Sequence, residues 1–364
     1  MKKRRIAILT WHYYTNYGSA LQAFAIQTII KKLGYKVKII NYRDPKYGRV
    51  NGIKNCIKTF AKQILKALNL CSSYNTFLSF QYKYFNQTKL VQNKLKLPRL
   101  CKKFDVVLCG SDQIWAPNVF NPIYMLDFVP DDIVKISYAA SIGLNNISEN
   151  LIDTYRKLLL TFKRISVREK AGADLLREKC SINAEVVLDP TLMLDVQQWK
   201  KLEKKADGIS GEYIFCYFLN KNHKYKESVL KYAKLNNLKV VGCSANVKDA
   251  EWLQLISNNV SPREFLWLIH NAKAILTDSY HATIFSMLYH KDFITFERFE
   301  NSDEICQNSR IYQLNDYFNI SSRIVTPTPE LKLEIPRIDY LDFENKLSEL
   351  RKSSIKFLID ALES

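Results

Sequence analysis

The sequence predicts an α/β protein built from two βα domains that face each other across a cleft. Three observations support this. Short apolar runs of strand character alternate with segments of helical periodicity along the chain. A chain of 364 residues that is 47% hydrophobic can fill two cores of ordinary size. Small polar residues recur directly after the apolar runs, where strands of a parallel sheet end and ligands bind.

The elements follow in order. An apolar run at 6–10 reads as the first strand, although the basic start Met1-Lys2-Lys3-Arg4-Arg5 imitates the head of a signal peptide. Polar residues end that run too early for a leader. A loop through Trp11, His12 and Asn16 leads to a helix that starts near Gly18-Ser19 and ends at Leu33, stopped by Gly34, before a second strand at 36–42. Further on, Ile53, Ile57, Phe60, Ile64 and Leu68 fall on one helical face beside a stripe of Lys54, Lys58, Lys62 and Lys66. That pattern describes a basic amphipathic helix, either lying on a membrane surface or packed on the domain with a solvated lysine face. Strands resume at 104–109, 134–139, 165–167 and 185–188. Pro190 and the charged stretch 197–211 mark the boundary, so residues 1–195 form the first domain. Strands near 213–219, 238–243, 273–277 and 292–297 form the second, over 210–335. A last amphipathic helix within 340–364 is expected to pack back on the first domain.

Charge and cysteine content narrow the class. The net charge is +18, yet residues 1–103 hold 22 Lys and Arg against the single acid Asp44. Such asymmetry points to an anionic partner: a membrane surface, a nucleic acid or a polyanionic substrate. No nucleic-acid module is recognisable, so that partner is not expected. The eight cysteines lack paired metal spacing, and several lie in strand-like runs, which suits reduced thiols in the cytoplasm. Asp131-Asp132 follows Pro130 and reads as a loop, and no metal is expected. No apolar stretch approaches the ~20 residues that cross a bilayer.

The most informative segment is 274–288. Its first four residues read as a buried strand, and Ile284, Phe285 and Leu288 share helical spacing from Ala282 onward. Asp278, Ser279 and His281 are compressed into the turn between them. A helix N-terminus there offers free N–H groups to a phosphate or carboxylate, and a histidine beside it can act as general acid or base. The alternative is a histidine that caps its own turn. Similar polar clusters follow other strands, at 16–19, 110–113, 141–143, 168–170 and 189–191, and jointly they describe a ligand cleft.

The strings Asn16-Tyr-Gly-Ser-Ala-Leu-Gln-Ala23, Gly110-Ser-Asp-Gln-Ile-Trp115, Ser137-Tyr-Ala-Ala-Ser141, Ser166-Val-Arg-Glu-Lys170, Leu188-Asp-Pro-Thr191 and Thr277-Asp-Ser-Tyr-His281 resemble the polysaccharide pyruvyl transferase family, in the family's order and over roughly residues 5 to 325. The resemblance implies two Rossmann-like domains in a GT-B-like arrangement, with phosphoenolpyruvate as co-substrate and no cofactor. It implies transfer of an enolpyruvyl unit onto two hydroxyls of a sugar, giving a pyruvate ketal. The acceptor would belong to a cell-surface polysaccharide or its lipid-linked precursor, reached from the inner face of the membrane. His281 becomes the general acid that protonates the methylene carbon of the donor. Arg168 becomes a donor-binding fork, its alternative being a salt bridge to Glu169.

One departure stands out. Well-studied members carry an arginine two residues before the histidine, where this chain has Ser279, and Arg310 is a candidate for the missing charge. Asp278, Ser279 and Arg310 join Arg168 as the expected donor side. By analogy with GT-B enzymes, Asn16, Gly18, Ser19 and Gln113 make the acceptor side, with Asp112 as the base for an attacking hydroxyl. Trp115 either stacks on a sugar or belongs to the core. Two other functions stay open: a GT-B nucleotide-sugar glycosyltransferase, supported by the acid Glu297 after the strand at 293, and a non-catalytic sugar-binding relative.

Overall fold

The computed structural model describes residues 3–43, 72–220, 224–243, 255–256, 260–300, 302–303, 305–328 and 334–364. The amphipathic helix expected around Lys54, Lys58, Lys62 and Lys66 lies outside them.

The first domain opens with strand β1 (Arg5–Leu9), helix α1 (Tyr17–Lys32) and strand β2 (Lys36–Ile39). Asn16 starts α1 by accepting the Ser19 N–H on its side chain, and Gly34 ends the turn after it with φ +84°. Helices α2 (Ser72–Tyr84) and α3 (Leu97–Cys101) precede strands β3 (Val106–Cys109) and β4 (Val134–Ser137). These strands form an all-parallel sheet in the order β2-β1-β3-β4, with Ile6 level with Val37 and Val106. Helix α4 (Glu149–Leu159), strand β5 (Ser166–Val167), helix α5 (Lys170–Cys180) and strand β6 (Glu185–Val186) follow. Strands β5 and β6 pair with each other, and single bridges from Ile136 to Arg164 and from Ala140 to Val167 attach them beside β4.

Short helices α6 (Pro190–Met193) and α7 (Val196–Leu202) lead to strand β7 (Tyr213–Tyr217), helix α8 (Lys224–Leu235), strand β8 (Lys239–Gly242) and strand β9 (Leu255–Ile256). Helix α9 (Pro262–Asn271), strand β10 (Ala274–Thr277), helix α10 (Tyr280–Leu288), strand β11 (Asp292–Phe296), helix α11 (Ser309–Phe318) and strand β12 (Ile324–Val325) complete the second domain. Its parallel sheet runs β12-β11-β10-β7-β8-β9. The continuous apolar runs of β3, β7 and β10 suit strands buried on both faces. The chain therefore consists of two Rossmann-like βα domains facing across a cleft, the GT-B-like arrangement.

The strand orders position the site. In each sheet the chain reverses direction once, between β1 and β3 in the first and between β7 and β10 in the second. Ligands of open parallel sheets bind at such switch points, outside the carboxyl ends of the strands. Helix α1 lies between the domains and is buried around most of its circumference. One continuous core joins Ala20, Leu21 and Ile26 to Phe265, Tyr280 and Phe285. Tyr17 of α1 stacks on Phe265 at 4.3 Å, and its hydroxyl donates to the Val260 carbonyl at 3.0 Å.

The final helix α12 (Tyr340–Glu363) spans both halves. Near its start Phe343 meets Phe318 of α11 at 4.8 Å. Towards its end the Ser354 hydroxyl accepts the Leu188 N–H at 3.0 Å, and Arg4 donates to the carbonyls of Leu362 and Ser364. No helix among the described residues is long and apolar enough to cross a membrane.

Candidate active site

The two switch points meet at a cavity of about 380 Å³. The first domain contributes Trp11, Tyr14, Asn16, Ser19, Asp112, Gln113, Val119, Asn121 and Tyr124 to its wall. The second contributes Leu219, Ser279, Tyr280, His281, Arg298 and Arg310. Sequence clusters separated by almost 300 residues thus share one space.

His281 lies in the first turn of α10, a helix capped by Ser279, whose hydroxyl accepts the Ala282 N–H at 3.4 Å. The imidazole is 7% exposed, enough to face a ligand while most of it is fixed by packing. Its Nε2 stands 3.6 Å from Oδ2 of the buried Asp189. On the other side Gly18 of α1 presses against the ring: a Cβ built on that glycine would lie 2.0 Å from His281 Nδ1. This corrects the acceptor-binding expectation for Gly18. It is absent from the cavity wall, and its missing side chain makes room for the imidazole.

Asp189 connects the basic groups. Its Oδ1 accepts the Thr191 N–H at 2.9 Å and the Thr191 hydroxyl at 2.7 Å. Its Oδ2 accepts from the Ser111 hydroxyl at 3.1 Å and from Nη1 of Arg168 at 2.8 Å. Burial alone would raise this carboxyl, but His281, Arg168 and Thr191 outweigh it and hold the group well below the usual carboxylate range. Asp189 thus stays ionised, and its charge orients a guanidinium and an imidazole at once.

Arg168 sits one layer behind the wall, 1% exposed, with its guanidinium 4.4 Å from the Tyr280 ring centroid. Its Nε is 3.7 Å from Oε2 of Glu169, whose other oxygen accepts from Ser141 Oγ and the N–H groups of Ile142 and Gly143. Burial alone would lower the Arg168 pKa, but Tyr280, Asp189, Glu169 and Asp112 outweigh it and hold it above its usual value. Nε and Nη2 make no hydrogen bond, so a buried fork keeps two donors for an anion.

Arg310 and Arg298 supply cations at the wall itself. Arg310 donates from Nη2 to the Gln307 side chain at 2.8 Å and lies 5.9 Å from the Tyr280 ring, on the same aromatic side chain as Arg168. Burial, with repulsion from Arg168 and Arg298, pushes its pKa down to about 9. Three guanidinium groups therefore concentrate positive charge on this side of the cavity. Sequence reasoning missed Arg298, whose available signal was its place two residues after β11, at the same sheet edge as the other clusters. Its Nη2 donates to the Asp278 carbonyl at 2.7 Å, which brings a guanidinium beside Ser279.

Asp278 needs a correction. Its two carboxylate oxygens accept the N–H groups of Leu219 and Asn220 at 2.7 and 2.9 Å, with Arg298 Nε at 3.5 Å. It ties the loop after β7 to the turn after β10 and does not face the cavity. Burial raises its pKa, partly offset by Arg298. On the opposite wall Asp112, at φ +78°, accepts from the Ser19 hydroxyl and the Gln113 N–H. Gln113 lies over Gly143, where a Cβ would come within 2.3 Å of its Nε2. Trp115 is fully buried and donates to the Tyr124 carbonyl, so it belongs to the core, and the cavity aromatics are Trp11, Tyr14, Tyr124 and Tyr280. Glu297 spends both oxygens on the hydroxyls of Tyr312 and Thr326 and is absent from the wall. Among the described residues no group of acids, histidines and cysteines is placed to hold a metal ion.

The family profile described as polysaccharide pyruvyl transferase matches residues 16–298, a span that includes the cavity wall from Asn16 to Arg298 but not Trp11, Tyr14 or Arg310. The chain belongs to the polysaccharide pyruvyl transferase family. No curated protein matches it by sequence. Among solved structures, this pyruvyl transferase family member is similar to the UDP-GlcNAc 2-epimerase of Methanocaldococcus jannaschii, at 15% identity and TM-score 0.55, over 96% of this chain and 92% of that one. It is also similar to the UDP-GlcNAc 2-epimerase of Neisseria meningitidis bound to UDP-GlcNAc, at 12% identity and TM-score 0.50, over 98% and 93% of the two chains. A putative epimerase from Listeria monocytogenes gives 11% identity and TM-score 0.51, over 98% and 88%. At such identities the likeness concerns the fold alone.

Proposed function

We propose that this protein transfers an enolpyruvyl unit from phosphoenolpyruvate onto two hydroxyls of a sugar in a cell-surface polysaccharide or its lipid-linked precursor, forming a pyruvate ketal. One observation carries the reading. A histidine at a helix N-terminus and two wall arginines, with a third arginine behind them, share a cleft with a carboxylate on the facing domain.

The chemistry assigns each residue a task. Protonating the methylene carbon of phosphoenolpyruvate places positive charge at the neighbouring carbon, and the reading assigns that proton to His281, the histidine of the cavity wall. Asp189 holds the imidazole in place. Arg298 and Arg310 stabilise the donor's carboxylate and phosphate, and Arg168 adds its charge from behind the wall. The first sugar hydroxyl attacks the cationic carbon and gives up its proton, for which Asp112 is the nearest carboxylate on the acceptor wall. The second hydroxyl then replaces phosphate, which leaves with the bonding pair, and its proton goes to the departing phosphate or to solvent. Asn16, Ser19 and Gln113 hold the acceptor, and Trp11 and Tyr14 offer faces for a sugar ring. Arg298 supplies the cation that Ser279 does not. Glu297, the acid expected to hold a nucleotide ribose, is engaged by Tyr312 and Thr326 away from the wall.

The test incubates the full chain with phosphoenolpyruvate and a panel of lipid-linked oligosaccharides and follows products by mass spectrometry. The expected product gains the mass of pyruvate less water, with phosphate released, and His281→Ala loses turnover by about 10²-fold or more. Nucleoside diphosphate release from sugar nucleotides without any pyruvylated product would reject the reading.

A further inference from the structure

We propose that the edge of the first sheet beside β2, together with residues 82–103, is a docking surface for an anionic lipid bilayer. The inference is independent of the reaction assigned to the cleft.

The edge carries the larger of the two cavities described, about 780 Å³ and open to solvent. Lys31, Lys36, Lys38, Lys83, Lys89 and Lys103 line it, with no acid among its lining residues. All six are exposed, and none forms an ion pair among the described residues. The floor is apolar and aromatic, with Val37, Tyr84, Phe85 and Phe104. A basic cavity alone would accept any polyanion. Exposed hydrophobic side chains decide for a bilayer. Tyr82 is 79% exposed, Leu90 51% and Leu95 79%, and the same short stretch carries Lys83, Lys89, Lys94 and Lys96. Elsewhere among the described residues, exposed large apolar side chains are scattered singly. Interleaved lysines and exposed leucines and aromatics suit the headgroup boundary, where cations meet lipid phosphates and apolar groups enter the acyl edge. Duplex or single-stranded nucleic acid gives the leucines nothing to bury against.

The surface also reaches the cleft. Residues 86–91 run along β2, and the Val91 carbonyl accepts the Arg43 N–H. The Arg43 guanidinium lies 6.0 Å from the Tyr13 ring, which packs 4.3 Å from Tyr14 on the cavity wall. Arg5, Lys36 and Lys103 of the basic cavity stand at the amino ends of the strands, so only the stretch near Val91 approaches the cleft.

Co-sedimentation of the full chain with vesicles tests the proposal, comparing phosphatidylcholine alone with phosphatidylcholine containing phosphatidylglycerol. The wild type should bind only the anionic vesicles, less tightly as salt is added. Reversing Lys36, Lys38, Lys83 and Lys89 to Glu should weaken partitioning by about tenfold or more. The glutamine set should weaken it in the same direction, which covers any folding defect of the glutamate set seen by thermal melting. Leu90→Ser with Leu95→Ser should weaken it while leaving the salt dependence unchanged. Wild-type binding by both lysine sets, or no wild-type preference for anionic vesicles, overturns the proposal. So does a leucine variant that binds like the wild type while duplex DNA displaces the protein from vesicles, because the surface is then a general polyanion site.

Discussion

Gly18→Ala probes the join between the domains with a single methyl group. The backbone at Gly18 is helical, so alanine is favoured by local propensity, by up to about 1 kcal/mol in a helix interior. The obstacle is across the cleft. The new Cβ would lie 2.0 Å from His281 Nδ1, 2.5 Å from Cγ and 2.7 Å from Cε1. To restore van der Waals contact the ring must retreat by more than about 1 Å, towards Asp189 and Tyr280, which are themselves packed. Overpacking of this kind costs about 1–3 kcal/mol. A displacement of about 1 Å in a catalytic group lowers turnover by about 10²-fold. Removing the ring should remove the penalty, because in a His281→Ala background the methyl enters vacant space. Urea denaturation of the four proteins in this cycle should give a coupling of about 1–3 kcal/mol. Equal effects of Gly18→Ala in both backgrounds would refute the packing argument, and unchanged turnover of the single variant would refute the placement of His281 in the chemistry.

Three further expectations follow from the buried charges. Asp189→Asn removes the anion shared by Arg168 and His281, and a broken buried pair costs about 3–5 kcal/mol, so urea denaturation should show a loss of that size; a loss below about 1 kcal/mol would mean Glu169 serves Arg168 equally well. Arg310→Met should weaken phosphoenolpyruvate binding by about 10- to 100-fold, as measured by calorimetry. His12 is fully buried, and burial pushes its pKa down to about 4, so the unfolded chain binds the proton first as pH falls. Stability tied to His12 is complete above about pH 6.5 and is lost towards pH 4, by about 3 kcal/mol, and a His12→Gln variant should show a shallower slope in that window.

Strand positions were legible in the sequence because the parallel strands are buried on both faces and read as short apolar runs. The expected strand at 6–10 and the observed Arg5–Leu9 differ by one residue. The two-residue strands β5 and β6 fell within the expected runs at 165–167 and 185–188, whereas β9 and β12, equally short, were not expected. The polar clusters at strand ends were readable for the same reason, and the motif order carried the family. The division of labour within the clusters was not readable. Asp278 and Gly18 share motifs with wall residues, yet one braces a loop and the other yields space, and only the facing domain decides which. Asp189 reaches His281 across 92 residues of chain and Arg298 reaches Asp278 across 20, partnerships that local pattern does not encode. Trp115 looked available for a sugar because an aromatic after a strand can point either way, and Tyr124 determines its direction here.

The stacked Tyr17 and Phe265 rings, with the apolar seam around α1, also bear on how a polymer is handled. A seam that runs unbroken from one sheet to the other makes the halves a single thermodynamic unit, and prising them apart would expose much of what keeps each half folded. Wide jaw-like opening is therefore a poor route for loading substrate. Chains would enter sideways along the rim, threading a residue into the cleft while the rest remains outside. For the acceptor proposed above, such a port would select for the local shape of one sugar and its two hydroxyls and would leave the length of the polymer beyond it unconstrained.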